Sequence, residues 1–258
     1  LRNKIRKNII PNLKKNNPND ILALFSDYSL NHEKYIKLKN IIVKNQSLHI
    51  LNKSDNFFEI YNSIVENISR NEIKLYYQIY AKRILNIDIR ATNKHWLNFI
   101  KFIHFSYTGK YFKLNKEIDV IKDRNKHIIY KTSYLKSKKI KISNKTTKWF
   151  DTKIIIGKSE HDNYKVKYRL SINESIINDG LYIRNWQFGD KCYSHFYNKY
   201  ISLSNIFINN KISNFEKAQY PIVINANNEI ISVPNLYNKF HYSTINAMDL
   251  KNIYWTLQ

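Results

Sequence analysis

The spacing of apolar residues along this chain changes once, near Gly109, and that change limits what the chain can build. Ahead of it the apolar side chains recur at the 3.6-residue period of an amphipathic helix. Leu1, Ile5 and Ile9 share one such face, and Pro11 marks its bend or end. Asn17, Pro18 and Asn19 open a longer helical segment carrying Ile21, Leu22, Leu24, Phe25 and Tyr28, which continues through Tyr35, Ile36, Leu38, Ile41 and Ile42. Ser69-Arg70-Asn71-Glu72 has the capping-box form, in which the serine accepts from a helix N-terminal amide while the glutamate reaches back. Ile73, Tyr76, Tyr77, Tyr80 and Ile84 face inward behind it. Thr92 or Asn93 caps a further helix whose buried stripe is Trp96, Phe99, Ile100 and Ile103.

Beyond Gly109 the period falls to two. Tyr111, Phe112, Leu114, Ile118, Val120 and Ile121 alternate with charges, and Asp123-Arg124-Asn125 turns the chain into a second strand over 128–130. KIIIGK, KVKYRLSI, LYIRNW and YPIVI read as further strands, interrupted by a helix-like stretch at 203–207. The expected fold class is α+β: an N-terminal helical bundle over 1–108, a β-hairpin and basic linker over 109–160, and a smaller α/β domain with a mixed sheet over 161–258. In the linker, Lys136, Lys138, Lys139 and Lys141 stand together, either as a solvated connection or as a phosphate-contacting strap.

Charge narrows the partner. Lys and Arg total 43 against 20 Asp and Glu, a formal charge of +23, far more than solubility requires. A polyanion is the natural partner for such an excess. Cys192 is the single cysteine, so an intramolecular disulfide is excluded and a reducing compartment is favoured. Cys192 and His195 are spaced as C-x2-H, but no second pair completes a four-ligand zinc set, and no metal is expected. No apolar run approaches the roughly 20 residues that span a bilayer, so a soluble protein without a membrane partner is expected. The chain starts at Leu1 rather than Met, as a piece of something longer would.

The string IRNWQFGDK concentrates unusual residues in a chain with only 4 glycines and 4 tryptophans. Gly189 stands where a strand must turn sharply with positive φ, and Asp190 is placed to accept from backbone amides of that turn. Arg184 and Trp186, two apart on the same strand, share a face: a phosphate-and-stacking pair, or a half-exposed strand edge. Glu160-His161-Asp162 brings acid, imidazole and acid together without a neighbouring nucleophile, and reads as a solvated loop. No catalytic residue is expected in this chain.

LYIRNWQFGDK, followed by YISLSNIFINNKISNFEKAQYPIVINANNEIISVPNLY, resembles the C-terminal domain of the tRNA(Ile)-lysidine synthetase family. In that family a strand bearing Arg leads into a Gly-Asp-basic turn. A Lys-rich helix follows, then a basic residue four before a Pro, then a strand ending in a Val-Pro-Gly-like turn. RNKIRKNIIPNLKKNNP resembles the segment after the family's ATP-binding domain. ISRNEIKLYYQIYAKRIL and GKYFKLNKEIDVIKD resemble its helical middle domain and closing hairpin. Arg184, Gly189, Asp190, Lys191, Lys211, Pro221 and Pro234 stand where the pattern expects them, and Asn3 and Arg6 match the motif near the junction. With Arg2, Trp186, Lys199 and Lys217 these give the expected RNA-binding set, Gly189 and Asp190 being the structural turn. Ser202 and Ser204 replace expected lysines, Lys217 an arginine, Ser213 a proline and Asn235 a glycine. Lysine for arginine loses the bidentate phosphate fork.

The resemblance implies a chemistry and a division of labour. An ATP- and Mg-dependent PP-loop domain adenylates the wobble cytidine of tRNA(Ile) with a CAU anticodon, and lysine displaces AMP to give lysidine. Its Ser-Gly-Gly-x-Asp-Ser loop has no counterpart here, because Gly109, Gly157, Gly180 and Gly189 are isolated from one another. The chain is therefore expected to be the tRNA-recognising portion of a ligase, with the PP-loop ATPase domain in cis or as a separate chain. ATP and Mg belong to that domain. The resemblance implies tRNA(Ile) as partner, told apart from tRNA(Met), is compatible with a homodimer, and places the protein in a bacterial cytoplasm or an organellar matrix or stroma. The alternative is a catalytically inactive relative acting as a structural RNA-binding protein in a ribonucleoprotein.

Overall fold

A computed structural model describes residues 18–45, 49–142, 147–157, 165–194, 197–239 and 250–257, with Asn3, Lys7, Asn8 and Pro11 near the start. Helix α1 spans Pro18–Lys44, strands β1 and β2 span Ile50–Lys53 and Phe57–Tyr61, and a short α2 spans Asn62–Glu66. Helix α3, Arg70–Tyr80, starts at the expected capping box: Glu72 N donates to Ser69 Oγ at 3.3 Å and Ser69 N donates to Glu72 Oε2 at 2.7 Å. A π-helical turn, Ala81–Leu85, ends on Asn86 in the left-handed region. Helix α4, Asn93–Phe105, is capped by Thr92, whose Oγ1 accepts from His95 N at 3.3 Å.

These helices do not form a bundle. They pack on one face of a five-stranded antiparallel sheet, β1-β2-β5-β4-β3, whose later strands are β3 (Tyr111–Lys113), β4 (Ile118–Lys122) and β5 (Lys126–Lys131). The expectation of a helical first half is corrected at 50–61, a short segment with no 3.6-residue period. Such a run pairs edge to edge when an apolar surface lies on both sides of it. Phe58, Ile60, Val120 and Ile129 join Ile42, Tyr77 and Phe99 in one core, while Phe57, Ile121, Ile128 and Tyr130 belong to a second. The two-residue alternation of strands thus feeds both cores from one sheet. Because β2 pairs with β5, the sheet spans the boundary expected at 109.

The second core lies beneath two further sheets. One is β15-β14-β13-β10-β6 and the other β7-β8-β16-β9, with a separate two-stranded hairpin, β11-β12. Their strands are β6 (Lys139–Lys141), β7 (Thr147–Trp149), β8 (Thr152–Gly157), β9 (Val166–Asn173), β10 (Tyr182–Arg184), β11 (Lys191–Ser194), β12 (Lys199–Ser202), β13 (Ile222–Ile224), β14 (Ile230–Val233), β15 (Tyr237–Asn238) and β16 (Leu250–Leu257). Every strand pair among the described residues is antiparallel, which corrects the mixed sheet expected from sequence. Neighbours such as β4 and β5, or β13 and β14, are joined by turns far too short for a parallel crossover. Helices α5 (Glu174–Asn178), α6 (Leu203–Asn209) and α7 (Asn214–Gln219) complete the α+β fold. Trp149 anchors the core, its Nε1 donating to Gln219 O at 2.7 Å.

The basic segment expected as a linker is also a strand. β6 pairs with β10, Lys139 opposite Arg184 and Lys141 opposite Tyr182. Lysines on an edge strand oppose unwanted pairing as well as attracting anions. No described helix is long and apolar enough to cross a membrane. Glu160-His161-Asp162, His195, Arg2, Arg6 and the Leu1, Ile5, Ile9 face lie outside the described residues.

Candidate nucleic-acid interface

Strand β10 delivers Arg184 to the interior, not to solvent. The residue is 7% exposed, and its guanidinium grips Asp190 with both arms: Nη1 donates to Oδ2 at 2.8 Å and Nη2 to Oδ1 at 2.7 Å. Nη1 also donates to Asn185 O at 2.9 Å. Expected at an RNA phosphate, Arg184 is instead committed to the loop that follows it, which corrects that expectation. A fork already matched to a carboxylate has little left to offer a phosphate.

Asp190 closes the same loop from its other end. Its Oδ2 accepts from Gln187 N at 2.8 Å, and its carbonyl accepts from Leu203 N at 2.9 Å, the first residue of α6. Gly189 adopts φ +90° between them, as the turn requires. Asn185 fixes the base of the loop, its Oδ1 accepting from Lys138 N at 2.6 Å and its Nδ2 donating to Ala218 O. The loop is rigid at its root and presents Phe188, 97% exposed, at its tip.

Hairpin β11–β12 continues from this loop. Lys191 lies opposite Ser202 and Tyr193 opposite Tyr200, so Lys191, Tyr193 and Tyr200 share one face while Cys192 points to the core. The Tyr193 and Tyr200 rings meet edge-on at 5.3 Å, and the Lys199 ammonium lies 5.6 Å from the Tyr197 ring. Lys191, Lys199, Tyr197 and Tyr200 are exposed. Burial pushes the Cys192 thiol up to about 12, with the Asp190 carboxylate adding to the shift and Arg184 opposing it, so the sulfur stays protonated at neutral pH. Among the described residues no group of three or more His, Cys, Asp or Glu side chains is placed to hold a metal.

Trp186 and Lys217 meet beside the loop. The tryptophan is half-buried, its ring edge-on to Phe207 at 6.4 Å, and the Lys217 ammonium sits 6.0 Å from the Trp186 centroid and 5.9 Å from that of Phe207. Burial lowers the Lys217 pKa. Its charge rests against aromatic faces, a cation–π placement rather than a free ammonium. Lys211 is exposed on the turn after α6, in the left-handed region at φ 56°, and Asn3 is exposed as well. The structure thus brings together Arg184, Trp186, Lys191, Lys199 and Lys217 around one loop and hairpin, and leaves Lys211 on a separate turn. Sequence reasoning missed Phe188, Tyr193 and Tyr197. For Tyr193 the signal was the alternation of KCYS against KYIS across a short connection; Phe188 and Tyr197 lie outside both strands.

The fold that carries this surface is an α+β arrangement of antiparallel sheets. No protein-family model matches the chain, and no curated protein matches it. Among solved structures it is similar to one described as "Crystal structure of TILS C-terminal domain", with a TM-score of 0.39 at 18% identity over 48% of this chain and 98% of that one. A likeness at that level defines neither family nor activity.

Proposed function

We propose that this chain binds RNA through the loop at 185–190 and hairpin β11–β12, as the tRNA-recognising portion of a lysidine synthetase-like enzyme. The observation that carries the reading is the joint exposure of Lys191, Lys199, Phe188, Tyr197 and Tyr200 on one anchored surface of a chain whose formal charge is +23. Lysines supply sequence-independent attraction to phosphates, and rings supply faces on which unpaired bases stack. Arg184 and Asp190 hold the surface in shape; they do not touch the RNA. Lys211 and Asn3 add contacts outside the hairpin.

In this reading the ligase chemistry, with ATP and Mg, belongs to a PP-loop ATPase domain in cis or on another chain. That the glycines are isolated from one another, building no phosphate-cradling loop, supports assigning the nucleotide to that domain. The cytoplasm of a bacterium, or an organellar matrix or stroma, is the compartment where such a tRNA would be met. The test is binding to tRNA(Ile) with a CAU anticodon against tRNA(Met) over a salt series. Preference for the isoleucine tRNA is expected. Equal, steeply salt-dependent binding would instead favour a structural RNA-binding protein in a ribonucleoprotein, and absence of binding to either would refute RNA recognition.

A further inference from the structure

Away from the hairpin, the connection between α4 and β3 exposes two aromatic rings in a basic setting. Tyr107 is 82% exposed and Tyr111 75% exposed, on either side of Gly109 and Lys110. Isolated exposed rings are ordinary, but these stand on a fastened loop. Gly109 N donates to Lys122 O at 2.7 Å, Lys122 N donates to Lys110 O at 2.9 Å, and Asn214 Nδ2 donates to Gly109 O at 2.9 Å. Gly109 sits at φ +86°, and a Cβ there would meet Asn214 Nδ2 at 2.8 Å. Only glycine therefore lets the loop close against the start of α7.

The third bond ties the loop to the turn carrying Lys211. Arg124 Nη1 donates to Lys211 O at 3.1 Å, bringing a second cation to the same seam between the first sheet and α7. Lys110, Arg124 and Lys211 are all exposed. Residues 89–116 include Arg90, Lys94, Lys101, Lys110, Lys113 and Lys116 but no Asp or Glu. Two carboxylates lie near the seam: Asp123 Oδ1 accepts from Arg124 N at 2.9 Å, and Glu216 closes the capping box on Ser213. Asp119 lies opposite Lys113 across β3 and β4, a third carboxylate beside the seam. Lys110, Lys113, Arg124 and Lys211 still outnumber these carboxylates around two presented rings.

Resting on the proposal that the chain binds RNA, we infer that this seam is a second contact surface that takes an unpaired, single-stranded segment. Bases stack on Tyr107 and Tyr111, and phosphates lie against Lys110, Arg124 and Lys211. A duplex hides its base faces and gains nothing from the two rings, whereas a single strand can turn its bases onto them. The fastened loop spares the ordering that flexible rings would require. This gives Lys211, remote from the hairpin, a defined set of neighbours.

The experiment compares the full chain with Tyr107→Ala/Tyr111→Ala by fluorescence anisotropy, using a single-stranded oligouridine and an RNA duplex of equal length. The expected result is a loss of about 10-fold per ring for the single strand, duplex affinity within about two-fold and an unchanged salt slope, with Lys110→Gln lowering the slope by about one. Both rings are exposed, so the melting temperature should stay put and separates loss of binding from loss of fold. Equal losses for both RNAs, or none for the single strand, overturn the seam while leaving the hairpin reading intact. If the unaltered chain binds neither RNA, both readings fall together.

Discussion

Replacing Asp190 with Ala would leave the Arg184 guanidinium almost fully buried with its carboxylate partner gone. The pair makes two short charge-assisted bonds, at 2.8 and 2.7 Å, and the same carboxylate also satisfies Gln187 N at 2.8 Å. Breaking a buried ion pair from one side destabilises by about 3–5 kcal/mol, because the remaining charge is neither solvated nor matched. At about 2–4 °C per kcal/mol for a chain of this size, the melting temperature should fall by roughly 6–20 °C. Arg184→Met should lose a similar amount by stranding the carboxylate. The double variant Arg184→Met/Asp190→Ala removes both charges and should recover much of the loss, giving a coupling energy of about 2 kcal/mol or more in a double-mutant cycle. Denaturant unfolding of the four proteins measures it. Single losses under about 1 kcal/mol that simply add would show a solvent-screened pair and refute the anchoring argument. RNA binding of the double variant supplies an independent check: its salt slope should equal that of the unaltered chain. A slope reduced by about one would return Arg184 to the phosphate backbone.

Lys191→Gln/Lys199→Gln should lower the salt slope of RNA binding by about two with no change in melting temperature, and an unchanged slope would remove the hairpin from the interface. Gly189→Val should destabilise by about 1–3 kcal/mol through strain at φ +90° alone, since no neighbour lies within 4 Å of the added Cβ; urea unfolding at neutral pH checks it. Ser213→Ala should lose about 1 kcal/mol from the cap of α7, read in the same assay. His127 is buried, and burial, helped by the Lys122 ammonium and opposed by a hydrogen bond to the Ile103 backbone, pushes its pKa down to about 3. The folded chain keeps it neutral while the unfolded chain takes up a proton below about 6.5, so its contribution is present above that pH and is lost as the pH falls toward 3. Between pH 6.5 and 5 that loss is about 1.6 kcal/mol, and His127→Leu should abolish it in paired denaturation curves.

The parts of the fold that were legible are those whose signal is local. Ser69 and Glu72 announce a helix start because the capping bonds join residues three apart, and Gly189 announces a turn because its φ is a property of one residue. Ser213 and Glu216 carried the same capping signal for α7, legible by the same rule. What was not legible depends on partners distant in the chain. Strand β2 lacks a helical period, and its strand identity comes from pairing with β1 on one side and β5 on the other. Arg184 is the sharper case. Sequence gives an arginine on a strand near a tryptophan, a pattern equally suited to gripping a phosphate or a carboxylate. Only the turn at Gly189 decides, by swinging Asp190 back beneath the strand to within 2.7 Å of the guanidinium. Once that partner is supplied from within, the exposed cations that follow the turn, Lys191 and Lys199, are left to face the polyanion. The loop that consumes one arginine thereby fixes where the lysines stand.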